Sequence, residues 1–388
     1  MFKYLITLTV LATSLLACTN LFVNKGGYHI VARSMDFGMN MGFNEALGYV
    51  GQKNTTDVVV DADKIPSKAL SNWEHKYGFA GRVAFDTAIV VDGMNTEGLG
   101  VGLLYLPGAE YPSYNPKDKR DALSIYDLSN YVLSQAKNVE EAKKLIEEVQ
   151  IVNGAIEATD GVFLTNIPVH HIFRDKSGDT LVVEFENKKL NLYHSKDIPV
   201  VTNAPGLKWQ VENAKKYESL KITNTKPNPE FENRFIDYKG IFNNPHMRAD
   251  QTALLGLPAD YTPPSRFVRS KVLLDNMPAP DSSELARYQA ESVLNSSVVP
   301  PVSLSDVTLW ITIQDLDEGV FMVRDLLYYN PDGSLYAFGP ENGFRTYNLN
   351  NLDFSKIPEV GAKNIEVTPK KDVKKIIDAD EALKDVAS

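Results

Sequence analysis

The chain has 388 residues, 43% of them hydrophobic, enough for a large core in one or two domains. A formal charge of −10 with no long basic run argues against nucleic acid or an anionic membrane as partner. A single cysteine, Cys18, excludes any intrachain disulfide.

Lys3 and an apolar run from Leu5 to Ala17 open the chain, about the length of a secretory h-region and too short to span a bilayer. Residues 1–17 read as a signal peptide of an exported protein, cut just before Cys18. That cut gives one residue both a thiol and a free α-amine. A thiol is the nucleophile of acyl transfer, and an amine with a reference pKa of about 7.7–8.0 can serve as its base. Leu15-Leu16-Ala17-Cys18 also resembles a bacterial lipobox, in which acylation of sulfur and amine removes both groups. The chain would then be a membrane-tethered lipoprotein that binds a ligand without chemistry. A small buried cysteine with no reactivity is the third reading.

Asn20 to Val23 and Tyr28 to Arg33 flank Asn24-Lys-Gly-Gly27, a β-hairpin signal that returns Arg33 and Asp36 to the neighbourhood of Cys18. From Phe43 to Val83 the residues read as irregular connections and short strands. A second hairpin is expected from Ala88 to Asp92 and from Leu99 to Leu106 around Gly93-Met-Asn-Thr-Glu-Gly98. Between 121 and 149, apolar residues recurring at three and four predict two amphipathic helices, the second opening at Asn138.

Strands are expected at His170 to Arg174, Thr180 to Glu186, Leu190 to His194 and Pro199 to Thr202. After a loop-rich stretch from Pro227 to Pro264, helices are expected over Arg266 to Asn276 and Ser282 to Asn295, then a strand pair over Val307 to Gln314 and Val320 to Leu327. Strands and helices in separate blocks point to an α+β fold of layered antiparallel sheets with helices outside. No domain boundary stands out, so residues 18–360 read as one catalytic domain. Residues 361–388 read as a charged tail, either a surface helix or mobile. No later segment reaches membrane-spanning length, and stable membrane insertion is not expected.

His170 and His171 are adjacent in an expected strand and point to opposite faces, so they are poor joint ligands. With no second cysteine and no H-E-x-x-H, no metal site is expected, and the absence of G-x-S-x-G weakens a serine hydrolase reading.

Cys18 at the head of the mature chain, Arg33-Ser-Met-Asp36-Phe, Asp92-Gly-Met-Asn-Thr-Glu-Gly98-Leu with Gly102-Leu-Leu-Tyr105-Leu-Pro-Gly108, Val201-Thr-Asn203-Ala-Pro205, and Gly256-Leu-Pro-Ala-Asp260-Tyr-Thr-Pro-Pro-Ser265-Arg266-Phe-Val-Arg269 together resemble the choloylglycine hydrolase family of bile salt hydrolases and penicillin V acylases. The resemblance runs through nearly the whole mature chain. It implies an N-terminal nucleophile hydrolase with a four-layer αββα sandwich, two antiparallel sheets flanked by helices. It implies hydrolysis of a small-molecule acyl amide without metal or cofactor, and a homo-oligomer, tetramer or dimer.

By the same resemblance, Cys18 is the nucleophile and its own amine the proton shuttle. Asp36 is the carboxylate that orients that amine, and Arg33 the cation beside the sulfur, favouring thiolate. Asn203 supplies an oxyanion-hole amide, Tyr105 an oxyanion contact through its backbone N–H, and Arg266 is a second active-site arginine. Tyrosine at 105 and the run Tyr261-Thr-Pro-Pro-Ser265 resemble the Gram-negative, penicillin V acylase side of the family, some members of which accept acyl-homoserine lactones. Conjugated bile salts are the alternative substrates. In sequence, the alternative for Arg33 and Asp36 is a plain surface ion pair.

Overall fold

The computed structural model describes residues 18–37, 43–54, 73–84, 87–159, 162–220, 254, 256–300, 307–329, 335–338, 343–356 and 375–378. The signal-peptide reading of 1–17 and most of the expected loop-rich stretch lie outside the described residues.

Two antiparallel sheets carry the fold. The first is built on β1 (Thr19–Lys25) and β2 (Tyr28–Asp36), with β10 (Val200–Thr202) beside β1 and β11 (Thr308–Asp315), β12 (Val320–Asp325) and β13 (Arg345–Asn348) extending from β2. The second runs in chain order through β3 (Asn44–Gly48), β4 (Phe79–Ala84), β5 (Ile89–Asn95), β6 (Leu99–Tyr105), β7 (Val169–Asp175), β8 (Thr180–Glu186) and β9 (Lys189–Ser195). Each strand pairs antiparallel with its neighbours.

Helices α1 (Leu128–Gln135) and α2 (Val139–Glu148) pack on the second sheet. Helices α4 (Pro263–Asn276) and α5 (Ser283–Asn295) pack on the first, and α3 (Leu207–Ala214) packs on α4. The layers are therefore helix, sheet, sheet, helix, the αββα sandwich. Both central strands of the first sheet, β2 and β11, are buried along nearly their whole length, because one face meets the second sheet and the other meets helices. Among the described residues, no helix is long and apolar enough to cross a membrane.

Local chemistry explains the element ends. Asn138 accepts a hydrogen bond from Glu141 N at 2.9 Å and opens α2, and Ser282 accepts from Leu285 N at 3.3 Å to open α5. Gly26 and Gly27 turn the β1–β2 hairpin with φ of 65° and 85°, the left-handed pair that a two-residue turn requires. Two elements differ from expectation. The first helix of the 121–149 block starts only at Leu128, because Ala122–Ser124 form a short parallel ladder with Gln150–Val152. Pairing with residues that far along the chain overrides the local period. At the other end, Lys375–Asp378 form a parallel strand beside Val162–Thr165, where a helix or mobile tail is expected. Two consecutive isoleucines suit that conformation.

Candidate active site

Strand register assembles the site around Cys18. In the β1–β2 hairpin Thr19 opposes Ser34 and Asn20 opposes Arg33, so one step further Cys18 opposes Met35. On its other side Thr19 opposes Thr202, so Cys18 opposes Asn203. Cys18 Sγ lies 3.7 Å from Met35 Sδ and 4.0 Å from the carbonyl oxygen of Asp36. The residue is only 1% exposed.

Side chains alternate along a strand. Cys18, Arg33 and Met35 therefore share the face toward the second sheet, whereas Ser34 and Asp36 face the helices. Arg33 and Asp36, three residues apart, cannot pair with each other, and neither is exposed. This corrects the surface ion pair.

Arg33 instead crosses the gap between the sheets. It donates to the carbonyls of Val91 at 2.9 Å and Leu103 at 2.6 Å, stacks 4.9 Å over the Trp310 ring, and lies 3.4 Å from Asp92. Its Nη2 is 3.9 Å from Met35 Sδ, so one thioether separates the guanidinium from the Cys18 sulfur.

Asp36 accepts from Ser34 Oγ at 3.2 Å and from Thr308 Oγ1, with Arg266 Nη1 at 3.7 Å. Arg266 reaches this point from the first turns of α4, whose start is fixed by Pro263 and Pro264 and by Asp260. The Asp260 carboxylate accepts from Thr262 N at 3.0 Å, and from the hydroxyls Thr262 Oγ1 at 2.5 Å and Ser265 Oγ at 2.7 Å. These hydroxyls hold its carboxyl down at about 2. Arg266 then donates to Cys18 O at 2.7 Å, to Thr19 Oγ1, to Tyr261 O at 2.9 Å and to Asn203 Oδ1 at 3.1 Å.

Asn203 turns its Nδ2 to Tyr105 O at 2.7 Å. Its amide carries a second donor proton. Leu106 N bonds Pro168 O at 2.9 Å, so the adjoining Tyr105–Val169 pair is of the non-bonded kind, and the N–H and C=O of Tyr105 both turn away from β7. Behind Asn203, Gln210 Nε2 donates to its carbonyl at 3.3 Å. Glu184 accepts from Leu207 N with both oxygens, at 3.0 and 3.2 Å, and pairs with His170 Nδ1 at 3.1 Å. A Cβ at Gly206 would lie 2.8 Å from that carboxylate.

All six residues singled out from sequence thus converge: Cys18, Arg33, Asp36, Tyr105, Asn203 and Arg266. Arg33 favours the thiolate, as expected, but burial outweighs it. Burial pushes the Cys18 thiol up, Arg33 opposes it, Asp36 reinforces it, and the Asp36 backbone contact and Arg266 oppose it further.

Asp92 opens one of the motifs quoted from sequence but was given no role there. It accepts from Arg33, from Thr312 Oγ1 at 2.6 Å and from Gln314 Nε2. Burial holds its carboxyl above the usual carboxylate range, and Arg33, Thr312 and Gln314 only partly offset it. The available signal was a carboxylate breaking the apolar strand Ile89-Val-Val-Asp92.

A family model described as linear amide C-N hydrolases, choloylglycine hydrolase family, matches residues 18–325. A bile salt hydrolase/transferase of Clostridium perfringens is 29% identical over 322 residues, 81% of this chain and 88% of the relative. A penicillin V acylase of Pectobacterium atrosepticum is also 29% identical, over 53% of this chain and 54% of its own. Among solved structures, a variant of the conjugated bile acid hydrolase from Clostridium perfringens superposes with a TM-score of 0.65 at 24% identity, covering 87% of this chain and 94% of the other. The penicillin V acylase of Agrobacterium tumefaciens does so with 0.63 at 22%, covering 87% and 88%. The match beginning at Cys18 and the shared sandwich agree: this chain belongs to the choloylglycine hydrolase family of linear amide C–N hydrolases.

Proposed function

We propose that the chain is exported, cut after Ala17, and then uses Cys18 as an N-terminal nucleophile on small acyl amides of the phenoxyacetyl penicillin class. The observation that carries this reading is the division of partners around Cys18. Its sulfur lies on the face of Arg33, and Arg266 bonds its carbonyl beside Asp36 on the face toward the helices.

In the cut protein the α-amine takes the thiol proton as sulfur attacks the carbonyl carbon. The resulting oxyanion is received by the second amide proton of Asn203 and the backbone N–H of Tyr105. Collapse breaks the C–N bond, the leaving nitrogen takes the proton back from the amine, and a thioester remains on Sγ. Water, deprotonated by the same amine, adds to the thioester; the acid leaves and the thiol is restored. Asp36 orients the amine, Arg266 holds Cys18 and Asn203 in register, and Arg33 counters the burial that disfavours thiolate.

Acyl-homoserine lactones, whose acyl group is also held by an amide, belong to the same proposed substrate range. Conjugated bile salts are the second reading, supported by the longer coverage of the Clostridium perfringens relative. Rates on a phenoxyacetyl penicillin, an acyl-homoserine lactone and a glycine-conjugated bile acid, compared side by side, decide between them. A bile acid turned over far faster than the other two overturns the acylase assignment. Cys18→Ser is expected to abolish hydrolysis after confirmed leader removal, and retained activity rules the mechanism out. Recovery of a diacylated Cys18 from membranes would instead favour the lipoprotein.

A further inference from the structure

Asp92 is a fully buried carboxylate, reaching from β5 in the second sheet to three donors presented by the first. Thr312 Oγ1 at 2.6 Å and Gln314 Nε2 come from β11, and Arg33 Nη1 at 3.4 Å comes from β2. Arg33 makes the opposite crossing, from the first sheet to the carbonyls of Val91 and Leu103 in the second. The two side chains form a reciprocal clasp. Val91 is the neighbour of Asp92 in β5, so one strand supplies Arg33 with both an acceptor carbonyl and a counter-charge. Thr312 and Arg33 are cross-strand partners, which keeps the hydroxyl and the guanidinium on the same carboxylate oxygen.

Removing one partner of a buried ion pair leaves the other charge uncompensated. Gln314 is itself held at Val101 O, 3.2 Å away, so Asp92 has anchors that do not depend on Arg33. We propose that Asp92 is a positioning residue for the hydrolysis: its carboxylate holds the Arg33 guanidinium on the Cys18 face, one Met35 thioether from the sulfur. This rests on the reading of Cys18 as nucleophile.

Charge and position make opposite predictions for Asp92→Asn. Deleting a negative charge near the site would, by charge alone, stabilise the thiolate and speed its alkylation. Releasing Arg33 from its position removes the cation's effect and slows alkylation. Cys18 is the only cysteine, so carboxamidomethylation by iodoacetamide, followed by intact mass across pH in the mature protein, reports on this thiol alone.

The expected result for Asp92→Asn is alkylation slowed by roughly tenfold at neutral pH, as the thiolate fraction follows the thiol pKa, with a matching fall in kcat and little change in KM. In an Arg33→Gln background the same substitution should slow alkylation no further. Thr312→Val, which deletes one donor to Asp92, should shift the titration in the same direction by less, and it serves as the test if Asp92→Asn does not fold. An unmoved or accelerated titration in the variant that folds, or additivity with Arg33→Gln, overturns the assignment even where melting temperature falls. If Cys18→Ser stays active, the nucleophile reading itself fails. If Cys18→Ser is inactive and the Asp92 titration is unmoved, only the present inference does.

Discussion

At the residue scale, burial and charge act against each other on Cys18. Burial is the largest influence and raises the thiol, while Arg33 is the largest influence lowering it. Arg33→Met should therefore move the pH midpoint of Cys18 alkylation upward, and a downward shift would mean that Arg33 does not face the sulfur. Asn203 has a different part, with one amide proton on Tyr105 O and its oxygen on Arg266. If its second proton meets the oxyanion, Asn203→Ala should lower kcat by about 10²–10³-fold, the usual loss of one such donor, with the acyl-amide KM changed far less. Arg33 and Asp36 were legible beside Cys18 from the hairpin turn, whereas Asn203 was legible only through the resemblance of its motif to the family. Asp92 held a motif position without a role, since its partners Thr312 and Gln314 meet it across the gap between sheets, a meeting that the local sequence does not record.

At the element scale, two local devices aim the site. The Gly26–Gly27 turn sets the register that brings Met35 beside Cys18, and a Cβ at Gly26 would lie 2.7 Å from Pro280 O. Gly26→Ala should destabilise the fold by about 1–2 kcal/mol from the left-handed backbone alone, read as a lower denaturation midpoint.

The second device is Asp260, whose carboxylate organises the start of α4 ahead of Arg266. Its carboxyl is depressed to about 2 by the Thr262 and Ser265 hydroxyls. The stability it contributes is present above the unfolded value near 3.9 and is lost as pH falls through about 2. Asp260→Asn should flatten the stability profile in that window and leave its shape above pH 5 unchanged; an unchanged acid limb would contradict the role. Capping signals such as Asn138 and Ser282 were readable one element at a time. The Ala122–Ser124 strand was not, because its partner lies at Gln150–Val152.

At the scale of the whole molecule, the sandwich encloses polar groups that ordinary cores avoid. Arg174 is fully buried between β7 and β1, donating to Asn20 Oδ1 at 2.9 Å, Thr180 Oγ1 at 2.9 Å and Ile198 O at 2.7 Å. Such groups make the fold selective about pairing, since these hydrogen bonds form only when the sheets meet in one register. Alternating blocks of strands and helices were enough to expect layered antiparallel sheets. Which side chains would face one another between those layers was not contained in the periodicity.

Two buried imidazoles give the assembly an acid limit. Burial lowers His75 to about 4 and His171 to about 3. Both stay neutral in the fold while the unfolded chain takes up protons below about 6.5. Stability should therefore be full above that pH and fall as pH drops toward 4 and then 3. His75→Gln should make the decline between pH 6.5 and 4 shallower, and a slope unaffected by the substitution would contradict the assignment.

The most direct test of the proposed chemistry is an intact-mass and fragment spectrum of the mature protein, quenched in acid during turnover of a phenoxyacetyl amide. A chain beginning at Cys18 with the phenoxyacetyl group in thioester linkage on its sulfur is the predicted result. Turnover by a chain that begins elsewhere, or that carries no acyl group on Cys18, would contradict it.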